Sequence, residues 1–189
     1  MPVRVRAKCQ YGKWHNIETE DDVTAYLEFP NGATGAFITS TGDAPGTNRF
    51  EILGSRGKLV CEKDTLTICR SQVDLQEFLM TEPSGFANPP FETEVIPQSG
   101  DNPQHVGILN NFANAVLGLE PLYVDGQEGI KCVELIDSML LSAWKDKAVS
   151  LPVDDDEYYA ELKKHIDSSR EKAGEDILID NSMSYGGTK

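Results

Sequence analysis

Apolar and polar residues alternate with a period of two through the first half of the chain. They then recur at three and four, so the pattern predicts strands first and helices after. Residues 2–10 set Val3, Val5, Ala7 and Cys9 on one face and Arg4, Arg6 and Lys8 on the other, the period of a half-buried strand. A polar stretch ending in Glu18-Thr19-Glu20-Asp21-Asp22 follows. Val23, Ala25, Leu27 and Phe29 then alternate with Thr24, Tyr26 and Glu28. Pro30-Asn31-Gly32 supplies the left-handed backbone of a tight hairpin, and a return strand is predicted over 33–41. Gly42 to Asn48 is dense in turn formers and reads as a loop. Strands are predicted over 49–53, 58–62 and 65–70, turned by Gly54-Ser55-Arg56-Gly57 and by Lys63-Asp64. Segments 73–80 and 91–97 are read as further strands around a proline-containing loop over 82–90.

Asn102-Pro103 opens a helix whose apolar stripe is Val106, Leu109, Phe112, Ala113, Val116 and Leu117, ended by Gly118. A second helix follows Asp125, a candidate N-cap with Glu128 as its back-bonding partner, and carries Ile130, Val133, Ile136, Leu140 and Trp144. Leu151 and Val153 form a short extended piece, and Asp154-Asp155-Asp156 caps a third helix from Glu157 to about Arg170. Strands joined by short turns, then helices, predict an α+β fold: a large open, mainly antiparallel sheet with its helices on one face. Residues 1–170 are expected to form this single domain and 171–189 a partly disordered tail ending in a Gly-Gly-Thr-Lys segment. The uncovered sheet face must be polar or buried by another chain, so a homo-oligomer is expected.

A formal charge of −14 with no basic stripe excludes nucleic-acid binding. No apolar run is long enough to span a bilayer, and Met1-Pro2 leads straight into alternating sequence, so a cytoplasmic protein is expected. The four cysteines lack C-x-x-C spacing and read as reduced thiols. Chemistry-bearing motifs fail: there is no G-x-G-x-x-G and no G-x-S-x-G, and Leu59 stands where a phosphate loop would need Ser or Thr after Lys58. Glu161 and His165 share a helix face, but no second ligand cluster accompanies them, so no metal is expected. The loop ending in Thr47, Asn48 and Arg49 combines hydroxyl, amide and guanidinium groups suited to hydroxylated or carboxylated small molecules. Arg49 could equally pair with a local carboxylate such as Glu51. His105, beside Asn102 and Gln104 at the start of the first long helix, is a candidate ligand contact, and His15 next to Trp14 another.

The stretch from Glu20 to Glu62 resembles the C-terminal domain of the Gfo/Idh/MocA oxidoreductases, named after glucose–fructose oxidoreductase, inositol dehydrogenase and a rhizopine-catabolism protein. An acidic pair, an alternating strand, an N-G turn and a small-residue strand lead to E-I-x-G-x-x-G-x-L, here Glu51, Ile52, Gly54, Gly57 and Leu59. Asn111-Phe112 with Ala115, Gly118 and Pro121 resembles the family's N-F-x-x-A segment, and Gly126 to Ala143 its last helix, so the resemblance covers about residues 2–153. It implies a substrate pocket taking Thr47, Asn48 and Arg49, face-to-face oligomers of the open sheet, and sugar or cyclitol substrates. The family's glycine-rich Rossmann turn, its E-K-P lysine segment and its D-x-x-x-H helix are all missing from this sequence. The chain is therefore expected to be a fragment with no catalytic residue and no cofactor of its own, NAD or NADP belonging to a full-length member, and to be inactive alone. The competing expectation is a non-enzymatic binding or scaffold module using the sheet as an interaction face.

Overall fold

The computed structural model describes residues 1–97, 100 and 103–170. Asn102 and the expected tail over 171–189 lie outside the described residues. The chain is α+β with antiparallel strands, divided into two compact units: Met1–Thr39 with the segment from Lys131 on, and Ser40–Ile130. The strands fall into two four-stranded sheets rather than one continuous sheet.

In the first unit, β1 (Arg4–Tyr11) pairs antiparallel with β2 (Glu20–Glu28), from Arg4 opposite Glu28 to Gln10 opposite Asp22. β3 (Thr34–Ser40) and the two-residue β8 (Val149–Ser150) complete the order β3-β2-β1-β8. The turn between β2 and β3 closes as its sequence demands: Gly32 has φ +84°, and the Ala33 N–H donates to Asn31 Oδ1 at 3.1 Å. Val5, Ala7, Val23 and Ala25, the inward set of the alternation, pack against Met139 of α3 (Glu128–Lys145) to form the core.

The helix meets the expected stripe only in part, with Leu140 and Trp144 half-buried. Ile130, Val133 and Ile136 stay exposed, while Ser138, Met139, Leu141 and Ser142 are buried. Two of these are serines, which a hydrophobicity count passes over. β8 pairs with β1 only as far as Arg4 and Val5, leaving the next outward N–H, that of Ala7, without a strand partner. Ser142 Oγ accepts it at 2.9 Å and donates to the Lys147 carbonyl at 2.6 Å. Ser142→Ala strands both groups inside the protein and is expected to cost about 1–3 kcal/mol, read as a shift in the urea midpoint at unchanged m-value.

α4 (Asp155–Ser168) starts on Asp154, whose carboxylate accepts the Glu157 N–H at 2.8 Å. Trp144 of α3 lies between Tyr158, stacked at 5.6 Å, and His165, at 4.7 Å. Burial and a hydrogen bond to Asp137 push the Tyr158 hydroxyl up to about 12.

The second unit holds β4 (Arg49–Gly54), β5 (Gly57–Glu62), β6 (Thr65–Ser71) and β7 (Phe91–Pro97) as one antiparallel meander in chain order. Register places Phe50, Ile52, Leu59, Leu66, Ile68 and Ile96 on one face. Segment 73–80, expected to be a strand, is instead the helix α1 (Leu75–Thr81). Asp74 caps it by accepting the Gln76 and Glu77 N–H groups, and Leu75 and Phe78, three apart, turn inward. α2 (Gln104–Val116) ends at Leu117 and Gly118, where φ is +73°, and its apolar stripe of Val106, Leu109, Phe112 and Val116 is exposed.

Candidate functional site

α2 and the chain that returns along it, 120–123, enclose an open cleft of about 600 Å³ lined by Gln104, His105, Asn110, Asn111, Glu120 and Tyr123. Asn111, only 4% exposed, builds it: its Nδ2 donates to the Pro121 carbonyl and its Oδ1 accepts the Tyr123 N–H, both at 2.9 Å. Asn114 Nδ2 reaches Glu120 Oε1 at 3.0 Å one turn on. The paired asparagines fix the returning segment against the helix, and His105 therefore faces Glu120 and Tyr123 across one cleft. Amides, an imidazole, a carboxylate and a phenol ring around an open volume suit a ligand bearing several hydroxyls. His105 was the only member of this group legible as a site residue. The N-x-x-N spacing of Asn111 and Asn114, set among the apolar residues of the helix's second half, was the signal for the rest.

Thr47, Asn48 and Arg49 are not among the residues of that cleft. The Thr47 N–H donates to Asp43 Oδ2 at 3.0 Å, closing the loop on itself. Arg49 opens β4 and lies between two carboxylates, Glu51 at 2.5 Å and Glu62 at 2.9 Å, with Lys58 adding 2.9 Å to Glu51. The hydrogen bond to Glu51 is the main influence raising the Arg49 pKa, and the bonds from Arg49 and then Lys58 hold Glu51 below the usual carboxylate range. The local-carboxylate reading of Arg49 is thus realised in the structure.

His15 and Trp14 belong to a loop shaped by one buried acid in the first unit. The Asp21 side chain is fully buried and accepts backbone N–H bonds from Lys13 at 3.1 Å, Trp14 at 2.7 Å and His15 at 3.0 Å. Burial alone would raise its pKa; the N–H groups of Trp14, His15 and Lys13 together outweigh that and hold it below the usual range. Lys13 lies over the Trp14 ring at 4.8 Å and pairs with Asp22 at 2.7 Å. Among the described residues no group of three or more His, Cys, Asp or Glu is placed to hold a metal ion, and no helix is long and apolar enough to cross a membrane. His165 packs on Trp144, and Glu161 pairs with Lys164 at 2.7 Å.

Residues 1–60 match a family model described as the GFO/IDH/MocA C-terminal domain. No curated protein matches the sequence. The fold is similar to that of an aldose–aldose oxidoreductase from Caulobacter crescentus complexed with glycerol, at 20% identity, covering 79% of this chain and 41% of that one with a TM-score of 0.58. A levoglucosan dehydrogenase in complex with NADH and levoglucosan aligns at 18% identity over 81% of this chain and 46% of that one, TM-score 0.57. A biliverdin reductase from Synechocystis in complex with biliverdin and NADP+ aligns at 19% identity over 75% and 40%, TM-score 0.54. At such identities the likeness is one of fold, and this chain spans less than half the length of each. Glycerol and levoglucosan are polyols whereas biliverdin is a tetrapyrrole, so the fold alone selects no substrate.

Proposed function

We propose that this chain, similar over residues 1–60 to the C-terminal domain of the Gfo/Idh/MocA oxidoreductases, is the substrate-binding and assembly portion of an NAD(P)-dependent oxidoreductase for a sugar- or cyclitol-type substrate. The family match together with the α+β fold carries this reading. Hydride transfer needs a nicotinamide held in near-attack geometry beside an acid or base. The sequence has no glycine-rich dinucleotide turn, so this chain holds the substrate side of that arrangement and is inactive alone. In this reading His105 and the amides around it take hydroxyl groups, and Thr47 and Asn48 offer a second polar edge. Arg49, already paired with Glu51 and Glu62, orients that edge. A second copy covers the apolar face of the β4–β7 sheet, where Phe50 is 65% and Ile52 48% exposed.

The chain titrated with myo-inositol and with D-glucose should show NMR shifts centred on His105 and Tyr123. His105→Ala should weaken the binding about tenfold, the loss of about one hydrogen bond to the ligand. Stoichiometric binding of NAD or NADP by this chain, or shifts confined to residues away from both polar edges, would overturn the assignment.

A further inference from the structure

A separate apolar pocket of about 300 Å³ lies in the second unit, walled by Leu53, Cys69, Leu75, Pro89 and Phe91 with Lys58 at its rim. Beside it, the loop between α1 and β7 carries Phe86, whose 98% exposure is the highest of any large apolar side chain among the described residues. Leu79, Met80 and Phe91 extend the same stretch at 71%, 80% and 57% exposure. The loop is tied by hydrogen bonds from the Ser84 N–H to Glu82 Oε1 at 3.2 Å, from Ala87 to the Ser84 carbonyl at 3.3 Å, and from Gln72 to the Pro90 carbonyl at 3.0 Å. Pro89 is part of the pocket wall only three residues away, so these ties hold Phe86 outside its own pocket.

We propose that this loop is exchanged between two copies of the chain, Phe86 of each filling the pocket beside Cys69 of the other. A loop tip next to the pocket it complements is the geometry of a self-complementary two-fold contact, in which each copy gives and receives the same ring. Phe86, Phe91, Leu79 and Met80 of two copies supply roughly 1,200 Å² of contact, the lower bound for a specific interface. Charge agrees locally. Each copy carries −14 overall and repels the other, but Lys58, which also pairs with Glu51, lines the pocket while Glu77 and Glu82 flank the loop. The contact uses a different surface from the sheet-face pairing above and does not rest on the functional reading.

Two measurements on the intact chain test it. With the sheet-face pairing removed by Ile52→Asp, sedimentation equilibrium should show self-association that an added Phe86→Asp weakens at least about a hundredfold, since two buried rings are lost per dimer. At 98% exposure the substitution leaves the fold intact, and Ile52→Asp on the sheet face should leave this contact in place. In the second, a Phe86→Cys variant oxidised with glutathione disulfide, as a mixture of ¹⁵N-labelled and unlabelled chains, should give peptides joining position 86 of one chain to Cys69 of another. An 86–69 bridge found only within single chains, no such bridge, or unchanged association of the Phe86→Asp variant would each overturn the proposal.

Discussion

Gly57→Ala is expected to unfold the second unit, while Gly85→Ala, twenty-eight residues on, leaves it unchanged. Gly57 sits at φ +137°, a backbone conformation open to glycine alone. A Cβ placed there would lie 1.9 Å from the Cys69 carbonyl oxygen and 3.1 Å from Arg70 Cα, both backbone atoms of β6. No rotamer relieves that overlap, because the clash is with the neighbouring strand and not with a side chain. Either Gly57 leaves its conformation and opens the Gly54–Gly57 turn, or β6 is pushed away from β5. β5 is an inner strand of the four, so the first route disrupts its ladder with β4 and the second its ladder with β6. The cost is expected to exceed about 4 kcal/mol, in the range reserved for strained backbone and core disruption. Gly85 has no atom within 4 Å of its added Cβ and ordinary φ, and serves as the control. Circular dichroism melts decide the matter: a Gly57→Ala midpoint within about 2 °C of the parent would refute it.

The same glycine shows how far the sequence could be read. The E-I-x-G-x-x-G-x-L spacing predicted a strand, a tight turn and a strand, and the structure explains its glycines: one opens the turn and the other passes against β6. The β2–β3 hairpin was equally legible because Asn31-Gly32 states its own backbone requirement. Residues 73–80 misled because Val73, Leu75 and Glu77 satisfy neither period cleanly, and the deciding signal was Asp74 acting as a cap. On α3 the counted stripe held only in its last members, the half-buried Leu140 and Trp144; Ile130, Val133 and Ile136 face outward, while Ser138 and Ser142 are buried through hydrogen bonds that hydropathy does not register. The cleft at His105 was half visible for a related reason: a histidine advertises chemistry, whereas Asn111, which places Tyr123, looks like an ordinary polar helix residue.

Asp21→Ala is expected to have the second large effect, on the first unit. The carboxylate is the shared acceptor for three successive N–H groups, those of Lys13, Trp14 and His15, and its loss leaves all three without that partner. The Gly12–Ile17 loop should lose its shape, with Lys13 leaving the Trp14 ring, and the melting midpoint should fall by roughly 10 °C. Asp21→Asn separates shape from charge, since an amide oxygen still accepts N–H bonds. The sign of the pH dependence then follows from linkage. Asp21 has its folded pKa held below its ordinary value of 3.8, chiefly because backbone bonding overcomes the effect of burial. A depressed acid contributes stability that is fully present above the unfolded value and is lost as pH falls through the folded one. Glu51, Asp74, Asp146 and Glu157 are displaced the same way, so the parent should lose stability steadily as the solution is acidified below about pH 4. The Asp21→Asn protein should be less stable than the parent at neutral pH, with the gap narrowing on acidification because its missing term is one the parent sheds there. Denaturation midpoints at pH 7 and pH 3 measure that gap; a difference that stays constant or widens toward pH 3 would mean that the Asp21 charge plays no part in holding the loop.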